Sequence, residues 1–174
     1  MITPSPSAKQ IHFADDELII SKTDLKGNIT YANRIFMQVS NFTTDQLIGQ
    51  SHSIIRHRDM PKGVFYGLWK TLKSGEEFFG FVKNITADGN FYWVFANITP
   101  DFLDGKMVGF FSVRRTATES SLAIIRPLYQ EMLAIEQKSA SNEAAKRSWE
   151  WLLQTFADTS GKSYEEHIIS VYEQ

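Results

Sequence analysis

At 174 residues, 43% hydrophobic and 22% charged, the chain has a globular composition and the length for one domain plus an appendage. A net charge of −2 and a pI near 6.1 give no basic footprint for nucleic acid, and no apolar run approaches the roughly 20 residues of a membrane helix. Cysteine is absent, which excludes disulfides, thiolate metal sites, cysteine nucleophiles and cofactor attachment through sulfur.

Residues 1–10 are rich in Pro and Ser and read as a loose arm, and the start lacks the charged-then-apolar layout of a signal peptide. A cytoplasmic location is therefore expected. Leu18-Ile19-Ile20 begins a first strand, Asp24-Leu25-Lys26-Gly27-Asn28 turns, and Ile29-Thr30-Tyr31 resumes, a hairpin over about 18–32. Ile35, Phe36 and Val39 are spaced for one buried helix face. Thr43-Thr44-Asp45-Gln46 has the form of a capping box, opening a short helix that Gly49 closes. Pro61 suits a first helical position, and Val64, Leu68 and Leu72, with Phe65 and Trp69, predict a helix from there to Lys73, stopped at Gly75.

Phe79, Phe81 and Ile85 belong to a strand ending at Ala87-Asp88-Gly89-Asn90, a hairpin signal, and Phe91 to Ile98 return. Asp104-Gly105 marks a second hairpin before a last strand from Met107 to Arg115. Two strands, several short helices and three strands predict an α+β domain with one antiparallel sheet. The tail is helical. Leu122, Ile125, Tyr129 and Leu133 suit a helix interrupted or kinked at Pro127; Ser141-Asn142 caps a second bearing Trp149, Leu152, Leu153 and Phe156; Tyr164 to Tyr172 makes a third. The expected organisation is an arm at 1–14, a domain at 15–117 and a helical extension at 118–174.

Arg56-His57-Arg58-Asp59-Met60-Pro61 places three potential cations beside a helix N-terminus, whose free amides favour anions such as phosphate. Taken alone, a solvated patch salt-bridged to Asp59 is the favoured reading. Phe36, Phe65, Trp69, Phe81 and Val113 could wall a flat apolar slot or serve as plain core. Asn84 and Asn97 are more pointed, because Asn is depleted within strands. If both face inward, each amide needs a partner or costs about 1–3 kcal/mol. His12, His52 and His167 are isolated, no pair has metal spacing, and no phosphate loop, nucleophile elbow or kinase signature is present. No catalytic residues are expected.

Asp24…Gly27-Asn28-Ile29-Thr30-Tyr31-Ala32-Asn33 with Phe36 and Gly49 resembles the front half of a PAS domain, and Lys83-Asn84…Asp88-Gly89…Tyr92-Trp93-Val94 its rear hairpin. Arg56 to Pro61, Trp69-Lys70-Thr71-Leu72-Lys73 and Gly80-Phe81-Val82-Lys83-Asn84 are similar to the sensor domain of bacterial aerotaxis receptors, over about residues 15–130. The resemblance implies a five-stranded antiparallel sheet with flanking helices, holding FAD without covalent attachment and reporting redox state, or oxygen indirectly, to a chemotaxis signalling partner. It implies FAD contacts from Arg56, His57 and Asp59, and positions near the cofactor for Asn33, Phe65 and Asn84. Trp69, Phe78 and Asn97 complete the expected set, Phe78 standing where the family often has Trp. Arg58 stands where the pattern usually has Pro. The family continues into a membrane anchor and a signalling coil that this sequence does not contain. A signal is thus expected to pass through a partner protein or a homodimer built on the C-terminal helices. The rival readings are a cofactor-free PAS interaction module, a haem-binding PAS gas sensor using His57, and a small flavoenzyme.

Overall fold

A computed structural model describes residues 2–174; Met1, the first residue of the expected arm, lies outside them. Five strands, β1 (Ile19–Asp24), β2 (Ile29–Ala32), β3 (Phe78–Ile85), β4 (Phe91–Leu103) and β5 (Lys106–Thr116), form one sheet in the order β2-β1-β5-β4-β3. β1 pairs antiparallel with β2 and β5, and β4 antiparallel with β5. Between the hairpin and the last three strands come α1 (Arg34–Ser40), α2 (Thr44–Leu47), a one-turn 3-10 helix (His52–Ile55) and α3 (Lys62–Lys73). The tail forms α4 (Glu119–Lys138), α5 (Ala144–Ser160) and α6 (Tyr164–Tyr172). This is the expected α+β architecture. Among the described residues no helix is long and apolar enough to cross a membrane.

Local chemistry explains the turns. The Asp24 carboxylate accepts the amides of Lys26 and Asn28, both at 2.8 Å, and the Asn28 side chain at 2.9 Å, which closes the β1–β2 turn around Gly27 at φ 83°. Those bonds from Asn28 hold the Asp24 carboxyl below its ordinary range. Asp88 gathers Thr86 and Asn90 in the same way before β4. The capping box at Thr43 and Gln46 is present, and Gly49 sits at φ 80°.

Several expectations need correction. Pro61 is the residue before α3, with ψ 137°, rather than its first helical residue. The arm is not loose: the Ser5 amide donates to Gly89, Phe91 donates to Lys9, Ile11 donates to Phe91 at 2.7 Å, and the Lys9 amide donates to the Asn90 side chain. Backbone pairing needs no side-chain periodicity, so the Pro/Ser composition concealed it. α4 is continuous through Pro127 rather than interrupted there, and Met132, not Leu133, fills its buried row with Leu122, Ile125 and Tyr129. α5 starts after Glu143 without a side-chain cap from Ser141 or Asn142.

The chain clusters into two compact units. One comprises the residues up to Arg58 together with Phe81–Thr116, that is, most of the sheet with α1, α2 and the 3-10 turn. Its buried sheet face carries Ile19, Phe110, Ala96 and Val94, and Phe36, Ile29, Leu47 and Ile55 are buried in the same unit. The other comprises Asp59–Gly80 and the residues from Ala117 on, a helical assembly of α3 to α6. Here α3 meets α5 at two glycines one turn apart. A Cβ on Gly63 would overlap Ser148 Oγ, and one on Gly67 would overlap the Trp149 ring. Glycine costs about 1 kcal/mol within a helix relative to alanine, and here it admits a ring. Phe78 and Phe156 then stack on Tyr164, Trp149 meets Tyr164 edge-on, and the Tyr164 hydroxyl donates to the Phe79 carbonyl at 2.8 Å. Trp149, Leu152 and Phe156 are buried within the chain, and Leu153 is half-buried.

Candidate functional site: a polar face inside the sheet unit

The register decides which strand residues share the buried face. Ser21 stands opposite Ser112 and Ile19 opposite Arg114, while Arg114 faces Ala96 and Ser112 faces Ile98. Alternation along β4 then brings Tyr92 to the same side as Ala96. The face that should be wholly apolar therefore carries Ser21, Ser112, Arg114 and Tyr92, all buried.

Arg114 is the centre of this set. It is 2% exposed, one terminal nitrogen donates to Ser21 Oγ at 2.7 Å, and its guanidinium lies 4.3 Å from the centre of the Phe36 ring. Among the described residues no acidic side chain pairs with it. Burial pulls its pKa down to about 10, with the neighbouring Tyr92 working the other way. Tyr92 is pushed up to about 12 by burial, against the pull of Arg114 and of the Asn84 amide, which lies close by but outside hydrogen-bonding geometry. His52 completes the group, stacking on Phe36 and sharing a 3.2 Å contact from Nε2 to Ser21 Oγ. Burial, then the charges of Arg114 and Arg56, push its pKa down to about 3, so it is neutral at pH 7.

The Arg56–His57 segment is fixed to β3. Arg56 forms an antiparallel bridge with Asn84, and the His57 amide donates to the Lys83 carbonyl at 3.3 Å. His57 is buried, edge-on to Phe91, whose ring also receives Lys83 Nζ at 4.5 Å. Arg56 is half-buried, and burial lowers its pKa. Only Arg58 and Asp59 of this cluster are exposed, so the solvated-patch reading does not describe Arg56 and His57.

The expected site residues separate. Arg56, His57 and Asn84 come together in the sheet unit. Asn33 lies there too, but its amide is engaged at both ends: Oδ1 accepts from Ile20 and Phe36, capping α1, and Nδ2 donates to Leu18. Asn97 pairs with Val113, on the sheet face opposite Arg114 and Ser112. Asp59, Phe65, Trp69 and Phe78 belong to the helical unit, where Phe78 is buried against Tyr164 and Trp149. The sequence reading missed Arg114, Tyr92, Ser112, Ser21 and His52. The signal available was an Arg two residues from a Ser on a strand, Ser112 and Arg114, with mixed polarity on both parities of that strand.

Asn84 Nδ2, the Tyr92 hydroxyl, Ser112 Oγ, and Nε and Nη1 of Arg114 are buried without a hydrogen-bond partner. Each such group costs about 1–3 kcal/mol unless something satisfies it. Nearly all are donors, gathered around a cation, which is the chemistry of a site for a planar acceptor-rich or anionic group. Among the described residues no cluster of His, Asp and Glu could hold a metal ion.

The PAS fold family matches residues 29–113. The aerotaxis receptor of Escherichia coli is 44% identical over 131 residues, covering 75% of this chain and 26% of that protein. A nitrogen fixation regulatory protein of Klebsiella pneumoniae is 33% identical over 81 residues, 47% of this chain and 16% of its own length. The chain thus spans about a quarter or less of these relatives. In fold, the light-state structure of the blue-light photoreceptor Aureochrome1 LOV aligns with a TM-score of 0.54 at 20% identity, covering 72% of this chain and 94% of that one. The buried polar face lies within a PAS domain, and the chain is a PAS-fold protein similar in sequence to the aerotaxis receptor.

Proposed function

We propose that this PAS domain binds FAD without covalent attachment, acts in the cytoplasm as a redox sensor that registers oxygen indirectly, and signals to a partner protein rather than catalysing turnover. The observation that carries the reading is the set of partnerless buried polar atoms on the Arg114 face, adjoining the Arg56–Asn84 bridge. The residues fit the group. A flavin ring presents a carbonyl and imide edge, for which Asn84, Tyr92, Ser112 and Arg114 offer the complementary atoms. Arg56 and His57 would serve the diphosphate, with Asp59 positioning the loop that follows. Bound FAD would supply a redox couple whose ring changes charge and protonation with its oxidation state.

The chain's own groups then have defined tasks. Arg114, the cation on this face with no acidic partner, would favour negative charge on a ligand. His52, held neutral, adds no second charge there and offers a ring nitrogen to Ser21, which itself accepts from Arg114. Phe36 closes the face against water from above Arg114. Asn84 reads the ring, and because its backbone bridges to Arg56, a turn of its amide is felt by the phosphate-holding segment.

The absorbance spectrum of the purified protein, with release and identification of any chromophore, tests this. Bound FAD is the expected result. A colourless protein would instead indicate an interaction module, and a Soret band haem. Arg56→Ala and Asn84→Ala should each weaken FAD binding by about ten- to a hundred-fold without unfolding the domain, the loss of one charged or buried hydrogen-bonding group. Full FAD retention in both variants would sink the residue assignments.

A further inference from the structure

Glu136 is badly placed for its own helix. It sits in the last turn of α4, where the carbonyl end disfavours a negative charge. Its carboxylate serves α3 instead, accepting the Gly63 amide at 2.8 Å and the Lys62 amide at 3.1 Å. α3 has no side-chain cap of its own, because the preceding residue is Pro61. The same carboxylate accepts the Ser148 hydroxyl of α5 at 2.7 Å. One acidic group thus joins the first turn of α3, the end of α4 and the first half of α5. Gly63 is what permits the approach, since its missing Cβ would overlap Ser148 Oγ and lie 2.8 Å from the Trp149 amide. α5 in turn begins without a side-chain cap, so the Glu136–Ser148 bond is its polar anchor at that end.

The Lys62 and Gly63 amides are also the direct continuation of the Arg56–Pro61 loop. We infer that Glu136 is a latch through which the conformation of that loop reaches the C-terminal helices, making α5 the element that carries ligand occupancy out of the domain. The inference rests on the reading of the loop as part of the FAD site. When the loop holds the two amides toward Glu136, three donors share the carboxylate and Ser148 of α5 is fixed. When they turn away, the carboxylate keeps the Ser148 hydroxyl alone, so α5 stays tied to α4 but loses its polar tie to α3 and meets it only through apolar packing on Gly67. Charge-assisted bonds of this kind are about twice as strong as neutral ones, so losing two of them at once gives a two-position element rather than a gradual one.

Hydrogen exchange of the full chain, followed at the amides of Ala144–Ser160 with FAD bound and after its removal, tests the latch. In the unmodified chain, removal of FAD should lower α5 protection by about ten-fold. Glu136→Ala should show that lowered protection already with FAD bound and no further change on removal, while its FAD-to-protein ratio by absorbance is unchanged. Glu136→Gln, which keeps the shape and one acceptor, should fall between and serves if the alanine variant does not fold. Protection in α5 that is equal with and without FAD, or that responds to FAD in the Glu136 variants as it does in the parent chain, overturns the latch. A parent chain that binds no flavin overturns the cofactor reading instead. The latch then stands if Glu136→Ala alone lowers α5 protection about ten-fold, and falls if it does not.

Discussion

The two units solve the problem of buried polarity in opposite ways. In the helical unit the inward-facing polar groups find partners inside the chain: Ser121 donates to the Val171 carbonyl, Tyr164 to Phe79, and Ser148 to Glu136. Its interior also holds the ring cluster of Phe78, Trp149, Tyr164 and Phe156. In the sheet unit, Arg114, Tyr92, Asn84 and Ser112 are sealed in with donors unspent. A satisfied interior maximises stability. An unsatisfied one gives up stability that a ligand can restore, so the second pattern is the one the proposed ligand would complete.

That contrast can be broken by substitution. The largest effect is expected from Trp149→Ala, which removes a buried indole, 5% exposed, and should destabilise the helical unit by about 3–5 kcal/mol in chemical denaturation. The converse case is Arg114→Met. Replacing a buried cation that lacks an acidic partner with an apolar chain of similar length should leave the ligand-free protein as stable or stabler, by about 1–2 kcal/mol, while abolishing FAD retention. A melting temperature that falls in the ligand-free variant would show that the fold itself needs the guanidinium.

His52 gives a smaller, pH-dependent effect. Its folded-state pKa, about 3, lies below the ordinary value of 6.5, so between those values the unfolded chain binds the extra proton. Stability should therefore be unaffected by this group above about pH 6.5 and decline as the pH falls toward 3, with a slope approaching one proton, about 1.4 kcal/mol per pH unit. His52→Asn should flatten that part of the stability–pH curve. Least of all is expected from Glu119→Ala, which breaks an exposed 2.9 Å pair with Arg126 and should cost about 0–0.5 kcal/mol.

How legible this was in the sequence depended on the kind of signal. The turns and the Thr43 cap read well, because Asp24–Gly27–Asn28, Asp88–Gly89 and Thr43–Gln46 act through neighbours in the chain, whereas the expected Ser141-Asn142 cap is absent. α6 was read to its boundaries, since Gly161 and Ser163 fix its start locally. The Arg56–His57 segment was visible as a charge cluster, but its burial was not, because the bridge to Asn84 joins residues far apart in sequence. Arg114 was invisible for a similar reason. Neighbouring Arg115 has the same chemistry, and only the pairing of β5 with β1 and β4 decides which of the two turns inward. Gly63 and Gly67 carry no local signal of their own; only Ser148 and Trp149 of α5 explain them.

The strand order has a consequence for how the site comes into being. β1 and β5, the first and last strands made, are neighbours in the sheet, and the Arg114–Ser21 bond spans 93 residues. Closing so long a loop is slow and has to precede any reward from the contact. The polar face is thus absent from every partly made form of the chain, including a nascent one whose β5 is still to emerge. On the proposed FAD reading, cofactor capture should therefore follow folding in time.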